Sequence, residues 1–489
     1  MPGVVVTTAV RTGPTNNQVN PSATLFVAGV TTRGPEGKAI AVYSIAEYET
    51  VYGGYTSSGY THQTIATFFE EGGAKAYVSR VIPDDAAAAT LNLVDNAVTP
   101  ANAVILTASG EGVWANTLLK AKCDSTSSAG TVVSFKITVL LNDVVVFVSQ
   151  THTSVANAVD EINNSAVASL YVSAAAGASA LLPKTAAAAL FSGGADGGAL
   201  DEGDLTEALD FFIDSYGPGA VCAPGFYLAG NYDSLISHAK TNGRIALLGF
   251  DSTDTVSDAV TVANTYSTVV GAEYAAFYYP WVRVPNGTLT TLIPSEGYVA
   301  AKRAQVINSS GVWNVYAGAV SQAGYVTEPQ SYLTATQESS LAAVGVNPIK
   351  IVNGTTRIYG ARSASSDTTN FRFINSRETL NYITYEAKRA LEAHVFRPID
   401  GRKSLFAEIR SSLVAIMDRI AVAGGVYEAV DAQGKQIDPG YAVRVDDSIN
   451  PISQLASGTI KAKIGARISS IGETIEIEIV KSNLTASVV

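Results

Sequence analysis

At 489 residues the chain is too long for one ordinary core, so two to four domains are expected. A net charge of −11 argues against nucleic acid as the main partner, and 15% charged against 47% hydrophobic residues leaves a weakly polar surface suited to extensive protein–protein contact. No run approaches about 18 consecutive apolar residues, which excludes a membrane-spanning helix. Met1-Pro2-Gly3 lacks the basic and apolar regions of a signal peptide, so the chain is expected to be made and kept in a cytoplasm.

Residues 1–20 read as an extended arm: Val4, Val5 and Val6 open a β-prone run that ends in the loop-like stretch Arg11 to Pro21. Ala23 to Val30 reads as a buried strand, followed by a Gly/Pro turn at Arg33 to Gly37. A helix starting at Ser44 comes next, then a helix over Thr61 to Glu71 and a strand over Ala76 to Ile82. After Pro83 the composition shifts. Residues 87–190 are rich in Ala, Ser, Thr and Val, with strand runs Ala103–Ala108, Val132–Leu141 and Val144–Ser149. Asn142-Asp143 is a hairpin signal between the last two. This reads as a mostly β domain inserted into an α/β one, with the Ala/Ser/Gly-rich stretch Ser173 to Ala189 as its exit.

The first domain resumes at Gly193–Gly198. A helix carries Leu205, Leu209, Phe212 and Ile213 on one face, and strands follow at Ala220–Ala223, Ile245–Phe250 and Tyr274–Trp281. Helices between them span Tyr232–Thr241 and Asp254–Val269. The alternation predicts a mostly parallel or mixed sheet covered by helices. Residues 282–365 read as turn-rich apart from a helix near Pro294–Ile307.

The last domain has the clearest helices. Asn375 to Glu378 is a capping box, opening a stripe of Leu380, Ile383, Ala387, Leu391 and Val395. The second helix shows Leu405, Ile409, Leu413, Ile416 and Ile420 and stops at Gly424-Gly425. At the end of the chain, Ile475, Ile477 and Ile479 alternate with Thr474, Glu476 and Glu478, the period of a strand with one apolar face. A strand in that position must find an edge to pair with.

Motifs for chemistry are scarce. His62, His152, His238 and His394 stand in no metal-ligand spacing, and His394 reads as a core or helix-cap residue. Cys123 and Cys222 read as buried free thiols. No GxSxG, GxxxxGK[ST] or GxGxxG with an acidic partner appears. The glycine-rich Gly193–Gly198 could cradle phosphate or calcium, but no lysine or carboxylate cluster completes a site. The competing reading is a tight return from the inserted domain, with Asp201 or Asp204 capping the next helix. No cofactor or metal is expected. Between Phe371 and Gly425 nine basic residues outnumber six acids, so the stretch carries +3 inside an acidic chain. Lys388, Arg389, Lys403 and Arg410 are therefore candidates for a face toward an acidic partner.

The chain resembles the tail sheath proteins of contractile phage tails and phage-tail-like particles. The resemblance is carried by Pro2-Gly-Val-Val-Val, Phe26 to Pro35, Phe191 to Gly197, Tyr279-Pro-Trp-Val282, Ile293 to Ala300 and Gly311 to Gly318. It is strongest at Gly345-Val-Asn-Pro-Ile349, Tyr359 to Ser365, Phe373 to Glu378, Val395-Phe-Arg-Pro398 and the Asp446 to Pro451 region. These stretches keep their order over some 450 residues, and the inserted domain carries little of the likeness. Ser363, where such proteins usually carry Thr, is a departure that touches local packing.

The resemblance implies a non-enzymatic, force-generating virion subunit, assembled in the host bacterial cytoplasm. It would polymerise helically around a tail tube and contract to drive the tube through a bacterial envelope. It implies contacts with the tail tube protein and with baseplate and tail terminator proteins. It also implies terminal arms that add strands to a neighbour's C-terminal domain. The expected fold is therefore multi-domain and of mixed α/β and α+β type. Its parts are an N-terminal arm (1–20), an α/β domain (21–86 with 191–365) and an inserted β-rich domain (87–190). An inner α+β domain (366–471) and a C-terminal strand arm (472–489) complete it. A baseplate component is the alternative, and an α/β hydrolase or nucleotide-binding enzyme is disfavoured by the missing motifs.

Overall fold

Runs such as Leu25-Phe-Val-Ala-Gly29 are apolar on both sides, and such strands belong in the middle of a sheet covered on both faces. The computed structural model, which describes residues 20–474, bears this out. Eight strands form the central sheet in the order Thr355–Ile358, Val346–Val352, Ala275–Tyr279, Ile245–Leu248, Ala220–Cys222, Leu25–Gly29, Ala76–Arg80, Ile40–Val42. The six inner strands run parallel, and the outermost strand at each side is antiparallel.

Side chains alternate between the two faces. Leu25, Val27, Ala220, Cys222, Ile245 and Leu247 pack with Ile65, Phe68 and Tyr298 of the helices Thr61–Glu70 and Glu296–Ser310. Phe26, Ala28, Val221, Ala246 and Leu248 pack with Leu205, Leu209, Leu235, Ile236 and Ala259 of three helices on the opposite face. Residues 282–365 are more regular than the sequence implies. They supply a strand pair Val282–Asn286 and Leu289–Ile293, a helix Ala335–Ala343, and the two central-sheet strands that start at Val346 and Thr355. Ile213, read on the face of a helix, lies beyond the end of Glu202–Asp210 and is half exposed.

The strands between residues 90 and 190 form two sheets of their own. One is three-stranded (Thr90–Val94, Asn102–Ala108, Val172–Ala176). The other is four-stranded (Ala186–Leu190, Leu119–Ser128, Thr131–Leu141, Val144–Val148). Leu106, Trp114, Phe135, Ile137, Val139 and Ile162 fill the space between them. The hairpin at Asn142-Asp143 has φ of +49° and +64°, the left-handed pair that a two-residue turn between twisted strands requires. Cys123 and Cys222 are both buried free thiols.

Two buried ion pairs on the helix Glu296–Ser310 tie distant parts of the chain together. Lys302 Nζ lies 2.7 Å from Glu71, whose carboxylate also accepts from the backbone N–H of Gly324, Tyr325 and Val326. Arg303 makes a two-pronged contact with Glu378 at 2.9 and 2.8 Å and donates to Ser22 O at 2.6 Å. Glu378 therefore does not close a capping box. The helix begins at Ile374 with Phe373 at its cap, and Asn375 donates instead to Trp313 O and Ser469 O.

Candidate functional site: the C-terminal assembly surface

Two long helices, Ile374–Leu391 and Ser404–Val422, carry the C-terminal part of the chain. The apolar stripe of the second is buried throughout, and Met417 joins Leu413, Ile416 and Ile420 against Ile383 of the first. Gly424, at φ +83°, ends it as a left-handed cap. Val395 falls beyond the first helix and is half exposed, so the stripe ends at Leu391. The ring of His394, on the turn after that helix, faces Ser412 Oγ at 3.1 Å.

Against these helices lies a sheet of two strands, Tyr441–Arg444 and Lys463–Ala466, paired antiparallel with Arg444 opposite Lys463 and Val443 opposite Ile464. Tyr441, Val443, Ile464 and Ala466 face the helices; Ala442, Arg444, Lys463 and Gly465 face outward and are exposed. Among the described residues neither outer edge of this sheet has a partner strand. A lone strand pair is marginal in water, and an open edge presents unpaired backbone N–H and C=O groups to another chain.

The chain leaves this sheet in a defined direction. Ser469 N donates to Gly425 O, and the chain then reaches Glu473, whose carboxylate meets Arg362 at 2.7 and 2.9 Å and Arg372 at 3.0 Å. The Arg362 guanidinium, its first partner, holds the Glu473 carboxyl below the usual carboxylate range against the opposing effect of burial. Glu473 thus pins the last described residues beside Arg362, next to the end of the central sheet. Val4, Val5, Val6, Ile475, Ile477 and Ile479 lie outside the described residues.

The four basic residues singled out on charge are all exposed. They are not bare. Lys388 pairs with Asp214, Lys403 pairs with Asp447, Arg389 reaches Glu386 at 3.2 Å, and Arg410 Nε approaches Val443 O at 3.4 Å. The hydrogen bond that Lys388 donates to Asp214, and the charge of that carboxylate, raise the Lys388 ammonium above its ordinary value.

The glycine-rich segment closes on the protein itself. Asp196 accepts from Val113 N at 2.8 Å, Gly198 N donates to Asp85, and Asp201 caps the helix Glu202–Asp210 with Asp204 completing the box. In doubly wound sheets, ligands sit where the strand order reverses, here beyond Gly29 and Cys222. Side chains fill that place. A Cβ on Gly29 would lie 2.3 Å from Thr61 Oγ1, and one on Gly225 3.0 Å from the Tyr60 ring. Tyr60 stacks edge-on against Trp281, and Tyr227 donates to the buried Glu296 at 2.9 Å. Burial pushes the Glu296 carboxyl up to about 7. Among the described residues no group of three His, Cys, Asp or Glu could hold a metal, and no helix is long and apolar enough to cross a membrane.

No protein-family model and no curated protein matches the sequence. Solved structures do. The sheath of an extracellular contractile injection system (PVC) in its contracted state aligns over 98% of this chain and 99% of its own, with a TM-score of 0.56 and 16% identity. The sheath tail protein Lin1278 from Listeria innocua aligns over 87% and 89%, with a TM-score of 0.59 and 15% identity. A chain of the anti-feeding prophage baseplate aligns over 99% of both, with a TM-score of 0.55 and 15% identity. From the central sheet to the unfinished strand pair, the chain has the fold of contractile-sheath proteins.

Proposed function

We propose that the chain is the sheath subunit of a contractile, phage-tail-like particle. Copies polymerise helically around an inner tube, with contacts to baseplate and terminator proteins, and contract to drive the tube through a bacterial envelope. The protein acts by assembly rather than by catalysis. The observation that carries this reading is the strand pair Tyr441–Arg444 and Lys463–Ala466, open at both edges among the described residues, in a chain with β-prone runs at Val4–Val10 and Ile475–Ile479. A neighbour's N-terminal segment (Val4, Val5, Val6) and C-terminal segment (Ile475, Ile477, Ile479) complete the sheet by strand addition. An added strand of about five residues makes roughly five backbone hydrogen bonds, each worth about 0.5–1.5 kcal/mol net. Links of several kcal/mol, repeated over many copies, make a mesh that survives rearrangement of the bodies between them. Such contacts are heterologous, and where their rotation does not close they generate helices.

Negative-stain electron microscopy of the full chain beside one lacking residues 1–20 and 472–489 tests this. The full chain is expected to form tubes and the trimmed one to stay monomeric. Neither forming tubes, even with the tube protein supplied, would favour a baseplate component, the reading that the likeness to the baseplate chain keeps in play.

We propose the exposed basic residues Lys388, Arg389, Lys403 and Arg410 as the face toward the tube. Reversing Lys388 and Arg389 to Glu should block assembly on the tube. It should leave the circular dichroism spectrum unchanged, because the Lys388–Asp214 contact is solvent-exposed and weak. Normal sheaths around tubes in that variant would rule this face out.

A further inference from the structure

The two open edges of the C-terminal sheet are not equivalent. Along the strand at Lys463–Ala466 and its continuation, Lys461, Lys463, Gly465 and Arg467 fall two residues apart on the outward face, and all are exposed. Ile464, Ala466 and Ile468 fall on the other face, against the helices. Arg467 is paired with Asp438 at 2.8 Å, and Arg444, opposite Lys463, lies 3.7 Å from Asp446. Lys461 and Lys463 have no carboxylate partner among the described residues. This edge therefore offers an apolar row on one face and two unmatched positive charges on the other.

The last stretch of the chain is written in the complementary pattern. Ile475, Ile477 and Ile479 alternate with Glu476 and Glu478. Laid beside Lys463–Ala466, such a strand extends the apolar row with its isoleucines and sets its glutamates on the lysine face. Opposite charges on neighbouring strands stabilise the pair, and like charges destabilise it. The N-terminal run Val4 to Val10 holds no charge and gains nothing there. Glu473, two residues before Ile475, is held away from this edge by Arg362 and Arg372.

We propose that the edge strand Lys463–Ala466 takes the C-terminal segment of a second copy of this chain, and that Lys461 and Lys463 select it by pairing with Glu476 and Glu478. This rests on the strand-exchange reading above and adds to it the rule by which each arm finds its edge.

Four chains decide the matter: K461E/K463E, E476K/E478K, the quadruple variant, and a chain ending at residue 471. The readout is the critical protein concentration for tubes, from sedimentation and electron microscopy, with circular dichroism as the check on each fold. Each double reversal is expected to raise that concentration by about tenfold or more, and the quadruple variant to return it to within about twofold of the natural chain. A quadruple variant no better than either double overturns the pairing. So do double reversals that polymerise like the natural chain while the chain ending at 471 forms no tubes; strand exchange then stands without the charge rule. Unchanged tubes from the chain ending at 471 overturn strand exchange by this arm, and the pairing with it.

Discussion

Replacing Arg303 by Met should lower stability by about 3–5 kcal/mol, the usual consequence of leaving one member of a buried ion pair alone. The side chains of Arg303 and Glu378 are only 3% and 2% exposed, and Arg303 also satisfies Ser22 O. One guanidinium thus joins the start of the described chain, the helix Glu296–Ser310 and the first C-terminal helix. The double variant R303M/E378M should recover most of the loss, because it removes both charges and keeps the volume. Urea unfolding followed by circular dichroism measures both. A loss below about 1 kcal/mol in R303M would mean that the domains are held by other contacts.

Glu71→Gln is the second large effect. Burial alone would raise the Glu71 carboxyl, but Lys302 and the N–H groups of Val326, Gly324 and Tyr325 together outweigh it and hold the group below its ordinary value of 4.5. The sign follows. A folded value below the unfolded one contributes stability that is complete above pH 4.5 and is lost as pH falls through the lower folded value. Gln cannot neutralise Lys302, so E71Q should cost about 3–5 kcal/mol near neutral pH. Its acid unfolding curve should also be flatter below pH 4.5 than that of the natural chain. An identical acid slope in both proteins would show that Glu71 takes no part in the pH dependence.

These two pairs show where reading the sequence alone stops. Leu405, Ile409, Leu413, Ile416 and Ile420 repeat at helical spacing, and the structure buries every one. The turn at Asn142-Asp143 was equally legible, because its chemistry is local. In Leu119–Ser128 the signal is present, since Leu119, Ala121 and Cys123 alternate with Lys120, Lys122 and Asp124 at the period of a half-buried strand. Val346–Val352 escaped because Asn347-Pro348 reads as a turn. In the sheet Asn347 is fully buried and bonds Phe277 O and Arg362 N, a role that only partners distant in sequence confer. Glu378 fits a capping box by spacing and is taken by Arg303, 75 residues away. The count of +3 on the C-terminal helices was correct as arithmetic, but Asp214 and Asp447, outside the counted stretch, sit against Lys388 and Lys403. The open strand pair is made of two four-residue segments, so the sequence shows no more than a short β-like stretch there, and their pairing is set by the helices they pack on.

The Glu473 clamp has a mechanical meaning. Tension applied to the last fifteen residues would reach Arg362 first. Arg362 N donates to Asn347 Oδ1 at 2.7 Å, and Asn347 Nδ2 to Phe277 O at 3.0 Å, so the load carried by this clamp runs into the parallel sheet. The pair Tyr441–Arg444 and Lys463–Ala466 lies behind the clamp on the same backbone, and takes only the load that the clamp does not bear. If that pair takes a neighbour's tail, as proposed above, a tug on the tail of one copy would load the central sheet at its root before it loads the strands that hold the neighbour.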